Sequence, residues 1–317
     1  MSHFDPPIKD MLFALDEFIG LEKLNKLEGL DQEIDREFLS SIYDSAAEIA
    51  SEVIAPTNMD GDREGVTLKD GKVDVPPGYK EAYEAYISGG WPTLSFNSNF
   101  GGQGLPSLVS MQINEMVMAA NFSWAHLVLL TNSAIRAVES HAEESLQDLF
   151  LGKLISGEYS GTMNLTEPQA GSDLSVLNTS AAQSGDHYKI TGQKIFITWG
   201  EHELTENIIH LVLARLPDAP EGVKGISLFL VPKYLVNDDG SLGERNNLEA
   251  ISIEHKLGIH GCATCVMSFE DATGYLVGEV NQGLSCMFTM MNDARIGVAC
   301  ESVAIAERAY QQALSYA

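Results

Sequence analysis

Two short segments of the sequence combine residue types that suit a flat, electron-rich ligand. The segment Tyr159–Asp173 carries a strand-like run into a turn rich in hydroxyl, glycine and proline residues. Such a turn can direct backbone N–H groups and hydroxyls toward a ring edge or a pyrophosphate. Further along, Lys194–Gly200 places aromatic side chains beside a threonine hydroxyl at a strand end. The residues alone leave two interpretations open, a cofactor site and two ordinary strand ends, and they favour the second.

Sequence motifs for other chemistries are incomplete. The run Gly101-Gly-Gln-Gly104 lacks the third glycine and the preceding strand of a dinucleotide fingerprint. Gly65 and Gly71 are separated by five residues, where a phosphate loop has four. A calcium loop starting at Asp60 would need a bidentate carboxylate at the position of Gly71, so we interpret this stretch as a solvated acidic turn. No Gly-x-Ser-x-Gly elbow supports a hydrolase.

A pair of cysteines offers a possible zinc site. Cys262 and Cys265 form a C-x-x-C motif, and His255 and His260 lie just upstream. There is no second separated pair, however, and residues 264–269 have the pattern of a strand that would bury Cys265. We therefore predict small buried hydrophobic side chains, with a stand-alone zinc protein as the alternative.

The overall charge of the chain excludes some partners. The 19 Lys and Arg residues face 45 Asp and Glu residues, which gives a formal net charge of −26. Nonspecific nucleic-acid binding and docking on anionic lipid both need basic surfaces, so neither is expected. No apolar run approaches the roughly 20 residues of a membrane span, and the start has no secretory leader pattern. We expect a cytoplasmic protein with no membrane span and no nucleic-acid partner.

The elements that must position these segments change character twice along the chain. Helical periodicity extends from about residue 9 to 158, short β-forming runs fill 159–277, and helical periodicity resumes near Gln282. We predict an α+β fold with an N-terminal α-helical bundle (1–158) and a central antiparallel β-domain (159–280). We also predict that residues 281–317 form the first helix of a truncated C-terminal α-helical domain.

The last helix carries an apolar stripe and no stop signal. It extends to Ala317 without a terminating Gly, Asn or Pro, so we expect the chain to be C-terminally truncated within a helical domain. A lone apolar helix needs partners. The predicted buried stripe consists of Met287, Met291, Ala294, Val298, Ile305 and Ala309.

Several motifs, in the right order over nearly the whole chain, closely resemble the acyl-CoA dehydrogenase family. The strongest are Leu165-Thr-Glu-Pro-x-Ala-Gly-Ser-Asp173 and Gly192-Gln-Lys-x-x-Ile-Thr198. Further similarities are found in Asn99–Gly104, Ser156–Glu158, Lys256–Ile259, Val277–Glu279 and Gln282-Gly283. The runs Leu204–Asn207 and His260–Cys265 resemble the subgroup of 3-methylmercaptopropionyl-CoA dehydrogenases.

The resemblance implies FAD between the sheet and the last helical domain, and α,β-dehydrogenation of an acyl-CoA thioester. By motif match, it implies that Phe196 packs on the flavin ring and Thr198 bonds near N5. The same match gives the other cofactor-binding residues as Leu165 and Thr166 at the pyrimidine edge and Gly171 and Ser172 at the pyrophosphate. The implied substrate-binding residues are Ser172, Asn292 and Arg295, with Asn292 standing where the family usually has Asp.

The family's catalytic base is missing from the sequence. Members use a Glu in an Ile-Tyr-Glu-Gly-Thr-like motif, which does not occur here. The carboxylates Asp293, Glu301 and Glu307 match no catalytic position, so we assign no catalytic residue. We expect this chain alone to bind FAD poorly and not to turn over.

The resemblance also implies partners and a metabolic role. They are an acyl-CoA substrate, an electron-transfer flavoprotein as acceptor, and assembly as a homodimer or homotetramer within fatty acid metabolism. Two alternatives stay open. One is a non-catalytic acyl-CoA-dehydrogenase-like protein used for binding or assembly, and the other is a flavin oxidase or monooxygenase on the same fold.

Overall fold

The N-terminal half of the chain is helical in the computed structural model, which describes residues 4–27, 30 and 33–317. Side-chain caps start two of the helices, because Asp35 accepts from the Phe38 N–H and Asn121 from the Trp124 N–H. π-Helical turns extend α1 through Ile19 and α3 through Ile54. The α-helices are α1 Ile8–Phe13, α2 Leu21–Leu24, α3 Arg36–Glu48, α4 Thr57–Glu64, α5 Tyr79–Ser88, α6 Ser107–Ala120, α7 Phe122–His141 and α8 Glu144–Ser156.

A small hairpin interrupts these helices, and there the prediction of a solvated acidic turn is wrong. Asp60 lies within α4, and Gly71 lies in the turn between β1 (Thr67–Lys69) and β2 (Lys72–Asp74). Asp70 and Gly71 both have positive φ, 51° and 73°, as a tight hairpin turn requires. The Asp-Gly pair is the sequence signal for this turn.

The β-domain is a seven-stranded sheet with a separate two-stranded hairpin. Its strand order is β10-β11-β5-β4-β6-β3, and β7 pairs with both β11 and β6, which closes the sheet on itself. Most pairs are antiparallel, as predicted, but β3 runs parallel to β6 over six residue pairs. The strands are β3 Tyr159–Asn164, β4 Ser180–Ser184, β5 His187–Thr198, β6 Asn207–Arg215, β7 Ile226–Pro232, β8 Tyr234–Val236, β9 Leu242–Arg245, β10 Leu248–Ile253 and β11 Thr264–Val277.

One long helix, α9 (Gly283–Tyr316), packs against α6, α7 and β7. A Cβ on Gly283 would lie 2.1 Å from the Ser227 carbonyl carbon, so the helix can start this close to β7 only with glycine there. The predicted stripe is correct for Met287 and Ala294 but wrong further on. Its later members Val298, Ile305 and Ala309 are exposed, and the buried residues there are Cys300, Glu301 and Ala304.

The predicted α+β fold class is thereby confirmed. Within the described ranges, no helix combines the length and apolarity needed to cross a membrane.

Candidate functional site

A bulge in β5 presents an aromatic side chain to the outside of the sheet. Ile197 pairs with Cys265 and Lys194 with Met267, so β5 carries one more residue than β11 across this interval. Phe196 lies in the bulge with a φ of 62°, and its side chain is 57% exposed. A left-handed phenylalanine is strained, and such strain is often found at ligand sites. The Phe196 ring is therefore exposed on the outside of the sheet and is not part of the core.

The turn that follows β3 docks on this bulge. The Ile195 N–H donates to the Thr166 carbonyl oxygen over 2.9 Å. Glu167 and Ala170 exchange two backbone hydrogen bonds of 2.9 and 3.0 Å, which close the turn. The structure thus brings Leu165, Thr166 and Phe196 of the two predicted segments together.

A buried ion pair lies beneath this junction, and the sequence analysis did not identify it. Lys194 Nζ donates to Glu167 Oε1 over 2.8 Å and to the Leu165 carbonyl oxygen over 3.0 Å. The two side chains are 0% and 3% exposed. Both residues lie inside the quoted motifs, so their types were visible in the sequence although their contact was not.

The carboxylate of Glu167 is fully bonded. Its oxygens accept from the Thr179 N–H and hydroxyl, from the Asn178 N–H and from Gln169 Nε2, in addition to Lys194. Burial opposes ionisation of this carboxyl, but Lys194 and the other donors outweigh it and hold the pKa of Glu167 below its usual value. Burial lowers the pKa of Lys194 to about 8, against the opposing effect of Glu167.

The turn also leaves hydrogen-bonding groups available. Gly171 and Ser172 are exposed, and Thr166 and Thr198 are half-buried. Among the described residues, the backbone N–H groups of Gly171 and Ser172 and the hydroxyls of the two threonines have no hydrogen-bond partner. A ligand with several acceptors could therefore bind along this edge.

The candidate substrate residues lie on α9 and form a separate group. Arg295 Nη1 donates to Asn292 Oδ1 over 2.7 Å, and the guanidinium lies 5.5 Å from the centre of the Phe288 ring. Asn292 and Arg295 are exposed. Within the part of the chain that the structure describes, no hydrogen bond or ion pair joins them to Ser172 or to the bulge.

A small cavity that sequence reasoning missed lies between α6, α7 and α9. Its volume is about 70 Å³, and its lining is mixed polar and apolar. Asp293 lines it and accepts a 2.7 Å hydrogen bond from the Ser133 hydroxyl. Arg136 also lines the cavity and donates to the Ser95 carbonyl oxygen.

Other titratable groups do not extend the site. Burial raises the pKa of Glu301 to about 7, and its carboxylate lies 3.2 Å from His126 Nε2 between α9 and α7. Cys262 and Cys265 are fully buried, as predicted, and burial raises the pKa of each thiol to about 12. Among the described residues, no three His, Cys, Asp or Glu side chains are grouped to hold a metal.

Comparisons with known proteins agree on one family for both main domains. The "Acyl-CoA dehydrogenase, N-terminal domain" model matches residues 37–158, and the "Acyl-CoA dehydrogenase, middle domain" model matches 162–272. The chain is 48% identical over 315 residues to 3-methylmercaptopropionyl-CoA dehydrogenase of Ruegeria pomeroyi, covering 99% of this chain and 53% of that protein. It is 35% identical over 323 residues to a butyryl-CoA dehydrogenase of Syntrophomonas wolfei, covering 98% and 53%.

A solved structure has the same architecture. Butyryl-CoA dehydrogenase from Megasphaera elsdenii superposes with a TM-score of 0.73 at 26% identity, covering 90% of this chain and 70% of that one. The chain spans about half the length of these two curated relatives.

Proposed function

Because this chain belongs to the acyl-CoA dehydrogenase family, we propose that it contributes to FAD-dependent α,β-dehydrogenation of an acyl-CoA thioester. The observation that carries the proposal is the strained, exposed Phe196 beside the Thr166 turn. An aromatic face next to unpaired hydroxyls and backbone N–H groups is the donor set that a flavin needs. The match of both domains to one family supports the same reading.

The residues present fit the flavin that proteins of this family use. We assign the ring face to Phe196, the pyrimidine edge to Leu165 and Thr166, the neighbourhood of N5 to Thr198, and the pyrophosphate to Gly171 and Ser172. An added Cβ on Gly171 would meet nothing within 4 Å, so its backbone is open to close approach by a ligand. When bound, FAD supplies the hydride acceptor for the reaction.

This chain's own residues hold and orient the reactants. The Thr166 and Thr198 hydroxyls and the free N–H groups donate hydrogen bonds that a flavin ring and pyrophosphate accept. Phe196 would cover one ring face of a bound flavin and exclude water from it. The buried pair of Lys194 and Glu167 keeps the Thr166 turn against β5.

For the substrate we propose 3-methylmercaptopropionyl-CoA or a related short or medium acyl-CoA. The 48% identity to the Ruegeria pomeroyi protein of that name and the 35% identity to a butyryl-CoA dehydrogenase support this size class. Ser172, Asn292 and Arg295 would contact the CoA part, with Arg295 attracting its phosphates.

The general base is assigned to no residue of this chain. Among the carboxylates of α9, Glu301 has the raised pKa that suits a base, but its side chain is 9% exposed and lies against His126. Asp293 lines the cavity but is bonded to Ser133. We expect flavin binding by this chain alone to be weak and turnover to be absent.

We further propose an electron-transfer flavoprotein as electron acceptor, assembly as a homodimer or homotetramer, and a cytoplasmic location. The first two follow from the family resemblance alone. Four free, buried cysteines agree with a reducing compartment.

Flavin fluorescence titration of the purified chain tests the cofactor assignment. We expect saturable quenching by the wild-type chain and a loss of affinity of about fivefold or more in Phe196→Ala. Phe13→Ala is a matched control, because Phe13 is 59% exposed on α1. Equal FAD affinity in wild type and Phe196→Ala would contradict the assignment of Phe196 to the flavin ring. Bound zinc in elemental analysis would favour a stand-alone zinc protein instead.

A further inference from the structure

Two lysines of the β-domain are buried in matching surroundings. Lys194 donates to Glu167 and to the Leu165 carbonyl oxygen. Lys233 donates to Glu201 and, over 3.0 Å, to the His202 carbonyl oxygen. All four ionic side chains are at most 5% exposed. Each ammonium therefore ties one carboxylate and one backbone carbonyl together inside the sheet.

The two pairs differ in what they hold. The partners of Lys194 belong to the turn that carries Thr166, and Lys194 itself is two residues before Phe196 in the bulge. The partners of Lys233 lie at residues 201–202, after the end of β5, and Glu201 is also paired with Arg245. Only the first pair therefore joins two segments that carry candidate cofactor residues.

The Glu167 carboxylate adds a third segment to this junction. It accepts from the Asn178 and Thr179 N–H groups, so the chain after the turn is tied to the same point. A Cβ on Gly192 would lie 2.5 Å from the Thr179 hydroxyl, so β5 and this segment approach closely. Moving the turn away from β5 would leave buried charges without partners, which is strongly unfavourable.

We propose that Lys194 and Glu167 are positioning residues that fix the separation of the Thr166 turn and the Phe196 ring, and so set how tightly flavin binds. This inference rests on the proposed function. Neither side chain has to touch the flavin. The pair acts through the Leu165 carbonyl oxygen, the closed turn and the bulge, which it holds in one arrangement before the ligand arrives.

A set of variants separates positioning from simple stability. Lys194→Met leaves the Glu167 carboxylate unpaired, whereas Lys194→Met/Glu167→Gln removes both charges and should recover much of the stability. Lys233→Met is the control for loss of a buried lysine away from the turn, and there Glu201 keeps its ion pair with Arg245. Thr179→Val is a milder change that deletes one 2.5 Å hydrogen bond to Glu167.

The readouts are FAD affinity by fluorescence titration, the visible circular dichroism of bound flavin, and urea unfolding. We expect Lys194→Met and the double variant to bind FAD at least tenfold more weakly, with an altered flavin dichroism spectrum. Thr179→Val should lose about threefold. Lys233→Met, compared at equal folded fraction, should stay within twofold of wild type with an unchanged spectrum.

Recovery of wild-type FAD affinity and spectrum in the double variant, or equal losses in Lys233→Met, would overturn the positioning role. If Lys194→Met fails to fold, the double variant and Thr179→Val still decide the question. The proposed function fails separately, when Phe196→Ala leaves FAD affinity unchanged.

Discussion

The candidate cofactor residues of the β-domain and the candidate substrate residues of α9 are held in opposite ways. The Thr166 turn is joined to the bulge that carries Phe196 by the hydrogen bond from the Ile195 N–H and by the buried ion pair beneath it. Asn292 and Arg295 are exposed and bonded to each other. A pre-organised group loses little freedom on binding, whereas a long exposed side chain must be ordered at that moment. The first region should therefore be the more sensitive to single substitutions.

The two regions also differ in how many hydrogen-bond donors surround their buried carboxyl groups. Glu167 accepts from an ammonium, a hydroxyl, an amide and two backbone N–H groups, and its pKa is lowered. Glu301, between α9 and α7, has the His126 ring as its one polar side-chain partner among the described residues, and burial raises its pKa to about 7. The number of donors, and not burial by itself, decides the charge of a buried carboxyl.

The largest effect expected from a charged group is on the pH dependence of stability at Glu301. Because its folded pKa of about 7 lies above the unfolded value of 4.5, the folded state holds an extra proton between these values. Its stabilising contribution is present below pH 4.5 and is lost as the pH rises toward 7. From pH 5 to 8, wild type should lose about 3 kcal/mol of unfolding free energy relative to Glu301→Gln.

Urea unfolding at several pH values measures this difference. The lowered pKa of His126 acts in the opposite direction, because stability is lost as the pH falls below 6.5, but it is present in both proteins. The comparison at Glu167 should have the opposite sign. Above pH 4.5, where the wild-type carboxylate is ionised, wild type should be more stable than Glu167→Gln, and this advantage should shrink as the pH falls through the lowered folded pKa. If the unfolding free energies of wild type and Glu301→Gln differed by the same amount across pH 5–8, the proposed difference between the two carboxyls would be contradicted.

The second effect concerns the bulge. In Phe196→Gly the backbone keeps its positive φ without strain, so the unfolding free energy should rise by about 1 kcal/mol. Loss of the ring should weaken FAD binding about 5- to 150-fold, since aromatic stacking is worth about 1–3 kcal/mol. Urea unfolding and flavin fluorescence titration measure the two quantities on one protein.

Trp199 is the matched control for this substitution. It also has positive φ, 51°, but its side chain is fully buried and its indole N–H donates to the Ser123 carbonyl oxygen. Trp199→Gly should cost about 3–5 kcal/mol, because a large cavity outweighs the relief of strain. Destabilisation of both variants by similar amounts would contradict the view that Phe196 is held out for a ligand.

A smaller effect is expected at Gly171. A methyl group there meets no described atom within 4 Å, so Gly171→Ala should change unfolding free energy by less than about 0.5 kcal/mol. It should weaken FAD binding several-fold by blocking close approach of the pyrophosphate. Gly258→Ala is the control, since its added methyl is equally unhindered and lies away from the turn. Equal FAD affinity in both variants would contradict the assignment of Gly171 to the pyrophosphate.

The smallest effect should follow Arg295→Ala. Exposed charges contribute little to folding, so unfolding free energy should change by less than about 0.5 kcal/mol, and FAD affinity should not change. Butyryl-CoA binding, measured calorimetrically with FAD present, should weaken several-fold and more so at low salt. Lys80→Ala on α5 is a matched exposed cation. Equal butyryl-CoA affinity in the two variants would contradict the proposed contact of Arg295 with CoA.

The order of elements and the cofactor motifs were accessible from sequence because they depend on neighbours along the chain. Hydrophobic periodicity predicted helices, then strands, then a helix, and the fold confirms this order. The hairpin at Asp70-Gly71 depends on an equally local signal, the Asp-Gly pair of its turn. On α9, by contrast, apolar residues occur on more than one face. Contacts with α6, α7 and β7 therefore decided that Cys300 is buried and Val298 is exposed.

By itself the sequence determined the family, the fold class and the two segments that carry the candidate flavin residues. Only the tertiary structure decided which of those side chains point outward. In a regular strand, Phe196 would share the inward face of Lys194, because alternate residues face the same way. The bulge against β11 adds one residue, so Lys194 and Ile197 are buried while Phe196 is exposed. The Lys194–Glu167 pair likewise requires two segments 27 residues apart to meet, and that proximity is a property of the folded sheet.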